Sequence, residues 1–327
     1  MNLDPQILEQ EIEHDPVAQN PVGLRTQALR RLRRDPISIF AFSLLVFLVL
    51  AAIFGAPLAA HLTGHSPNAQ FAGALASDGQ PIGVMQRVFE ANGTTHNPHG
   101  SLFILGADSL GRDLLVRVLY GARISLLVAT GATALALIIG ITLGLLAGYL
   151  GGWVDGVVNR MTETAMAFPN LLLAVGIAVV IGPGVLNVVI IIALFTWYYP
   201  CRIVRSATAA TKQMTFVAAA RTMGARPRRI LLVHLLPQVW GPLLVYATSI
   251  IANNILFEAG LSYLGVGVPE PTASWGSMLS DAVQSSMYTV DLPLALVPGL
   301  ALVITMLAFN LLGDGLRDAL DPKGTRR

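Results

Sequence analysis

Long stretches without a charged residue dominate the chain and divide it into apolar windows. They matter because a charged side chain at the centre of a bilayer costs about 2.5–3.5 kcal/mol. The windows are residues 37–60, 124–153, 164–201, 235–257 and 292–313, with 24, 30, 38, 23 and 22 residues. A helix needs about 20 residues to cross the hydrocarbon core. Four of the windows therefore predict one membrane-spanning helix each.

The third window is too long for one span. It contains Gly182, Pro183 and Gly184 near its middle, a triplet that breaks a helix sharply. We therefore expect two short spans joined by a tight turn, which brings the prediction to an all-α polytopic membrane protein with six transmembrane helices.

The positions of lysine and arginine predict the orientation, because cytoplasmic loops carry an excess of both. With six spans, the N-terminal region, the 154–163 loop, the 202–234 segment and the region after 314 share one side. That side holds 17 of the 21 basic residues, and the other side holds four. We expect both termini to be cytoplasmic.

These boundaries predict a sequential organisation of the chain. It comprises a cytoplasmic N-terminal tail (1–36), a first span (37–60), an extracytoplasmic segment (61–119), a core with five spans (120–314) that contains a cytoplasmic loop at about 202–236, and a cytoplasmic tail (315–327).

Composition excludes several classes of function. Hydrophobic residues make up 54% of the chain and charged residues only 12%, against about 25% in a typical soluble domain. A net charge of +2 argues against a nucleic-acid-binding protein, and a single cysteine, Cys201, excludes an internal disulfide framework. A Walker A loop requires a lysine after glycine, and neither Lys212 nor Lys323 follows one. We expect this chain to bind no cofactor, with ATP and Mg²⁺ held by other subunits if ATP drives it.

Glycines recur every four residues on the second predicted span, at Gly140, Gly144, Gly148 and Gly152. This spacing lines one helix face and lets another backbone approach closely. Helix packing is the favoured interpretation, and direct contact with a transported solute is the alternative.

Ionisable residues are scarce within the spans. Asn253, Asn254 and Glu258 lie toward the outer end of the fifth span, where they either bind neighbouring helices or line a polar pathway. So few ionisable groups give little support to an ion-coupled secondary transporter. The pairs His61/His65 and His96/His99 have spacings found in metal sites, but without an accompanying carboxylate cluster we predict neither a metal site nor a catalytic residue.

The basic segment 202–237 is too long for a simple connector. Helical spacing places Phe216, Ala219, Ala220 and Met223 in one apolar stripe, Gly224 ends that helix, and Pro227 is suited to begin a second one. We expect two short helices, which either rest on anionic lipid or dock a cytoplasmic partner.

This segment resembles a known family. Residues 218–224 (AAARTMG), followed by Ile230 and by His234 to Pro237 (HLLP), resemble the EAA loop of ABC importer permeases, with Ala218 at the usually acidic first position. Further strings resemble the C-type permease subunit of dipeptide and oligopeptide importers. They are GADSLGRD (106–113), YGARISL (120–126), GGWVD (151–155), AFP (167–169), LSYLG (261–265) with SWG (274–276), and AFNLLGDGLR (308–317).

The resemblance implies a type I importer permease fold in the inner membrane. It implies a homologous B-type permease partner, two ABC ATPase subunits and an extracytoplasmic peptide-binding protein. It also assigns ATPase docking to Ala218, Ala219, Gly224, Ile230, His234 and Pro237. Relatives with similar strings transport nickel chelates, glutathione or haem, so those substrates remain open beside peptides, as do a self-sufficient transporter and a membrane scaffold.

Overall fold

The computed structural model describes residues 29–77, 79–88, 101–286, 289 and 291–320. The helices, numbered in chain order, are α1 (Pro36–Thr63, with a π-helical turn at Ala51–Gly55), α2 (Leu114–Leu150), α3 (Gly152–Ala167), α4 (Asn170–Ile181), α5 (Val185–Leu194), α6 (Tyr198–Thr211), α7 (Thr215–Thr222), α8 (Pro227–Tyr263, with a π-helical turn at Ile230–Leu235), α9 (Trp275–Gln284) and α10 (Pro293–Leu320).

Within the described residues, α1, α2, α8 and α10 are long and apolar enough to cross a membrane. The pairs α3–α4 and α5–α6 also qualify when each is taken as one bent span, with bends of 92° and 42°. The break at residues 182–184 is found as predicted, since α4 ends at Ile181 and α5 begins at Val185. The structure is therefore compatible with six spans, and two of them are broken.

Several predicted boundaries are wrong, because helices continue past charged residues. The second span, α2, begins at Leu114 instead of 124, since Arg117 and Arg112 before it are buried within the protein. The two short spans extend beyond the 164–201 window into the charged helices α3 and α6. The last helix passes residue 314 and ends at Leu320.

The segment before α2 contains the one departure from an all-α fold among the described residues. Strands β1 (Gln86–Val88) and β2 (Ser101–Phe103) form an antiparallel pair in which Arg87 is opposite Leu102. Val88 and Phe103 bury one face of this pair against Ala74 and Ala107. This segment thus has a small apolar core of its own.

The bundle is organised around α2. One apolar cluster joins it to α4 and α5 through Val128, Ala174 and Ile192, and another joins it to α8 and α9 through Leu126, Ile255 and Trp275. Because α2 touches most of its neighbours, a displacement at one of its ends affects several helices at once.

Candidate coupling site

The short helix α7 is fixed to the bundle by one face only. Val217 is fully buried in a cluster with Val204 of α6 and with Ile230 and Leu235 of α8. On the same face, Ala220 is 5% exposed. The other side of α7 is open, since Ala218 and Ala219 are exposed and Met223 is 80% exposed. The helix therefore has an anchored face and a free apolar face.

The predicted apolar stripe is mainly on the free face. Phe216, Ala219 and Met223 are exposed, and only Ala220 of the four is buried. The Phe216 ring lies 6.5 Å from the His234 ring, so α8 borders this surface. Burial of the free face would require another molecule.

Gly224 ends α7 through a defined capping motif. Its φ of +78° lies in the left-handed region that favours glycine. The Gly224 N–H donates to the Arg221 carbonyl at 2.9 Å, and the Ala225 N–H donates to the Ala220 carbonyl at 3.0 Å. This pair of bonds is a Schellman motif, which turns the chain sharply toward Pro227.

The second short helix predicted after Gly224 is not a separate element. The helix that begins at Pro227 continues through Pro237 to Tyr263, over 37 residues. Because a proline ring displaces the preceding turn, the helix would normally kink or end there. The π-helical turn Ile230–Leu235 immediately precedes Pro237 and accommodates the change in register. The segment that begins at Pro227 is thus continuous with a helix long and apolar enough to span a membrane.

Three basic side chains that sequence reasoning did not single out hold this region together. The Lys212 ammonium donates to the carbonyls of Gly148 and Tyr149 at 3.0 and 3.1 Å, which places a cation at the C-terminal end of α2. The Arg221 guanidinium lies 5.1 Å from the centre of the Tyr149 ring. Arg205 of α6 pairs with Asp155 of α3, with Nη2 to Oδ2 at 2.7 Å. The sequence shows only that these residues are charged. Which groups they contact depends on the fold.

The glycine stripe of α2 lies against α6. A Cβ built on Gly140, Gly144 or Gly148 would be 2.6–2.7 Å from a backbone oxygen of α6 or of Trp197, the residue that precedes it. Gly152 differs from the prediction, because α2 ends at Leu150 and nothing lies within 4 Å of that position. We call the contact of Gly140, Gly144 and Gly148 with α6 the glycine seam.

The three polar residues proposed for a pathway lie in two environments. Asn253 is exposed, whereas Asn254 and Glu258 are fully buried in the chain. The Asn254 amide donates to Thr133 of α2 at 2.9 Å. Glu258 accepts hydrogen bonds from Ser125 of α2 at 3.1 Å and from Ser262 at 2.8 Å. The two buried side chains thus contact neighbouring helices.

Ser125 also connects this polar group to α9. Its hydroxyl oxygen accepts from the Trp275 backbone N–H at 3.1 Å, and the Trp275 indole donates to the Val118 carbonyl at 3.0 Å. Gly276 lies so close to α8 that a Cβ would be 2.6 Å from the Cα of Ala259. The short helix α9 is therefore packed tightly between α2 and α8.

An ionic cluster around the buried Arg112 joins the segment before α2 to α9. The Arg112 guanidinium is 2.5 Å from Asp108, 3.2 Å from Glu270 and 3.7 Å from Asp281. Burial opposes the charge of Arg112, but the adjacent Asp108 and Glu270 carboxylates outweigh it and raise the pKa of Arg112. Burial, with the nearby charge of Glu270, raises the pKa of Asp281 to about 6. The GADSLGRD string at 106–113 contains Asp108 and Arg112 of this cluster, and no other feature of the sequence pointed to it.

His65 has a structural contact instead of a metal-like arrangement. Its Nδ1 lies 2.6 Å from Asp113 Oδ2, and the other oxygen of Asp113 accepts from the Val116 N–H at the start of α2. Among the described residues, no group of three or more His, Cys, Asp or Glu side chains is arranged to hold a metal ion. His96 and His99 lie outside the described residues.

Comparison with family models decides the identity of the chain. Residues 140–326 match the binding-protein-dependent transport system inner membrane component, and residues 23–77 match the N-terminal transmembrane domain of oligopeptide transport permease C. The chain belongs to this family of ABC importer permeases. Such a permease is embedded in the membrane and works with ATPase and other membrane subunits.

Relatives extend over most of the chain. A peptide transport system permease protein of Brucella suis biovar 1 is 39% identical over 310 residues, 94% of each chain. The di/tripeptide permease DppC of Pseudomonas aeruginosa is 43% identical, over 68% of this chain and 72% of its own. The glutathione permease GsiD of Escherichia coli O6:K15:H31 is 38% identical, over 90% and 89%. In the inward-facing MetNI methionine ABC transporter, one chain aligns with 63% of this chain and 96% of its own, at 19% identity and a TM-score of 0.48.

Proposed function

We propose that this permease transports dipeptides or oligopeptides, forms half of the pathway beside a homologous B-type permease, and receives its substrate from an extracytoplasmic peptide-binding protein. ATP and Mg²⁺ are then bound by two partner ATPases, and this chain carries no catalytic residue. The substrate class rests on the relatives described as peptide and di/tripeptide permeases.

The free apolar face of α7 is the observation that carries the coupling role. Phe216, Ala219 and Met223 are exposed, while Val217 fixes the same helix to α2, α6 and α8. A partner ATPase that buries this face gains contact with a helix joined to the spans. A partner can shift a conformational equilibrium only by binding two states with different free energies. Closure of the ATPases would provide that difference through α7.

The transport assay uses the complete complex in proteoliposomes, with the binding protein supplied outside and ATP on the ATPase side. We expect uptake of alanyl-alanine that requires ATP and the binding protein and is insensitive to ionophores. Uptake driven by an ion gradient without ATP would instead support a secondary transporter. Replacing Met223 by Glu should abolish ATP-dependent uptake, whereas the control Asp318→Asn, an exposed change on α10, should leave it intact.

Glutathione is the second candidate substrate, favoured by the 38% identity to the glutathione permease. Competition for alanyl-alanine uptake in the same assay distinguishes peptides from glutathione as the substrate. Inhibition of alanyl-alanine uptake by excess unlabelled dipeptides but not by glutathione supports the peptide proposal, and preferential uptake of glutathione contradicts it. Nickel and haem are tested as further competitors.

The proposed topology places both termini and α7 in the cytoplasm. In a Cys201→Ser background the chain has no other cysteine, so one added thiol reports its own side. Arg228→Cys should react with a membrane-impermeant maleimide only after the inner face is opened, and Gln70→Cys should react in intact cells. The reverse pattern would refute the topology.

A further inference from the structure

A cavity of about 360 Å³ lies between α3 and the beginning of α6. It is lined by Asn159, Thr162, Glu163, Met166, Ala167 and Arg202. Residues three, four and seven positions apart share a helix face, so α3 provides one wall and Arg202 of α6 lies on the other. Pockets for small molecules commonly measure about 300–1,000 Å³. Four of its six lining residues, Glu163, Met166, Ala167 and Arg202, are exposed, so the cavity is an open groove with the volume of a small-solute site.

Two opposite charges face this cavity without neutralising each other. Within the described chain, no nitrogen of Arg202 lies within 4.0 Å of a carboxylate oxygen, and Nη1 instead donates to the Met166 sulfur at 3.2 Å. A thioether is a weak acceptor, and a guanidinium has five N–H donors. Arg202 therefore retains donors for a carboxylate that enters the cavity.

The negative charge is Glu163, on the opposite wall. Its carboxylate accepts from Asn159 at 2.6 Å and from Arg160 at 3.2 Å, and its side chain is 53% exposed. The α3 helix ends at Ala167, which lines the cavity, and the path of the chain bends by 92° there. A helix C-terminus carries partial negative charge and favours a cation. The Arg160–Glu163 ion pair is exposed on both sides and therefore weak, so the Glu163 carboxylate can still accept from an ammonium group that enters the cavity.

The walls are held at a defined separation. Arg205 and Asp155 pair between α6 and α3, and Asn170 connects the two helix breaks by donating to the Tyr198 hydroxyl at 2.7 Å and to the Phe195 carbonyl at 3.4 Å. The cavity thus lies where both broken spans change direction, held by contacts that leave Arg202 and Glu163 unpaired with each other.

We propose that this cavity is a subsite for a zwitterionic solute, in which Arg202 binds the free carboxylate and Glu163, with the C-terminal end of α3, binds the free ammonium. A short peptide with both termini free carries these two charges. The inference rests on the proposed peptide transport and adds a contact point for the solute within this chain.

The test measures direct binding to the complete complex in zwitterionic-lipid nanodiscs, without binding protein or nucleotide. The probes are alanyl-alanine, alanyl-alanine amide and N-acetyl-alanyl-alanine. We expect the wild type to bind the unblocked dipeptide at least about tenfold more tightly than either blocked form, because hydrogen bonds to charged groups contribute at least that factor. Arg202→Gln should lose the preference against the amide and keep the preference against the acetylated form. Glu163→Gln should show the opposite pattern.

Controls separate this inference from general damage and from failure of the proposed function. Arg317→Gln and Asp318→Asn, exposed changes on α10, should keep both preferences, and Arg202→Lys should restore part of the preference against the amide. Unchanged preferences in Arg202→Gln and Glu163→Gln overturn the subsite, as does a wild type that imports alanyl-alanine but does not bind it in this state. Absence of import of both alanyl-alanine and longer peptides by the wild type refutes the proposed function itself.

Discussion

The glycine seam permits a quantitative prediction for Gly144→Ala. The new Cβ would lie 2.6 Å from the Cys201 carbonyl oxygen and 2.8 Å from Val204 Cβ, whereas ordinary contact begins at 3.4 Å. The helices α2 and α6 would therefore have to separate by about 0.8 Å. Overpacking of this kind costs up to about 3 kcal/mol, and alanine recovers about 1 kcal/mol of helix propensity. We expect a net loss of about 2 kcal/mol.

A matched glycine-to-alanine control is expected to raise stability instead of lowering it. Gly176 lies within α4 and nothing is within 4 Å of a Cβ at that position. Gly176→Ala therefore gains helix propensity without a clash and should stabilise the chain by up to about 1 kcal/mol.

The assay uses the single cysteine of the chain, which lies in the seam. Cys201 is fully buried, and its backbone contacts both Gly140 and Gly144. Its rate of reaction with a maleimide, followed by mass spectrometry, reports opening of the seam. A loss of 2 kcal/mol corresponds to a rate about 30-fold higher. A Gly144→Ala rate equal to or below that of Gly176→Ala would refute the packing argument.

Further predictions concern the capping cation, the outer ionic cluster and the free face of α7. Lys212→Met removes the cation from the end of α2 and should lower the melting temperature of the complex, whereas Arg317→Met should not. The raised pKa of Asp281 means that the folded chain holds a proton more tightly than the unfolded chain, so this residue lowers stability as pH rises from about 4 to 6. Asp281→Asn should remove that component from the pH dependence of unfolding, and an unchanged profile contradicts the shift. Met223→Glu should abolish co-purification of the ATPases without changing the thermal melting of the isolated permease, and retained ATPase would contradict a docking role for the free face.

The sequence predicted most of the architecture because lipid imposes a strict limit on charge. Four apolar windows became the long spans α1, α2, α8 and α10, and the break at Gly182–Gly184 was found. The boundaries failed where charges are neutralised within the protein. Arg117 is buried beside Asp108, with Nε 3.2 Å from the carboxylate, and Asp155 pairs with Arg205. A search for charge-free windows ends each predicted helix at a charged residue, even where that charge is paired with a residue distant in sequence.

The candidate site was predictable in its local features only. Gly224 ends α7 as its position suggested, and the structure shows that it does so in the left-handed conformation. The continuation of α8 through Pro237 was not predictable, because it depends on a π-helical turn. Arg202 and Glu163 are 39 positions apart, and only the fold shows that they line one cavity. The local conformation of a residue can thus be predicted from the sequence, whereas which distant residues come together in one site depends on how the helices pack.

A displacement of α7 has two physical routes into the membrane-spanning helices. Val217 packs with Ile230 and Leu235 of α8, so the first route is direct contact with a helix that continues to Tyr263. The second route passes through Lys212, just before α7, which holds the carbonyl end of α2 next to the glycine seam. The glycine seam brings the backbones of α2 and α6 close together, so we expect a displacement of one helix to press on the other. If a partner ATPase docks on α7 as proposed, its closure would then change the shape of the cavity bordered by Arg202 of α6.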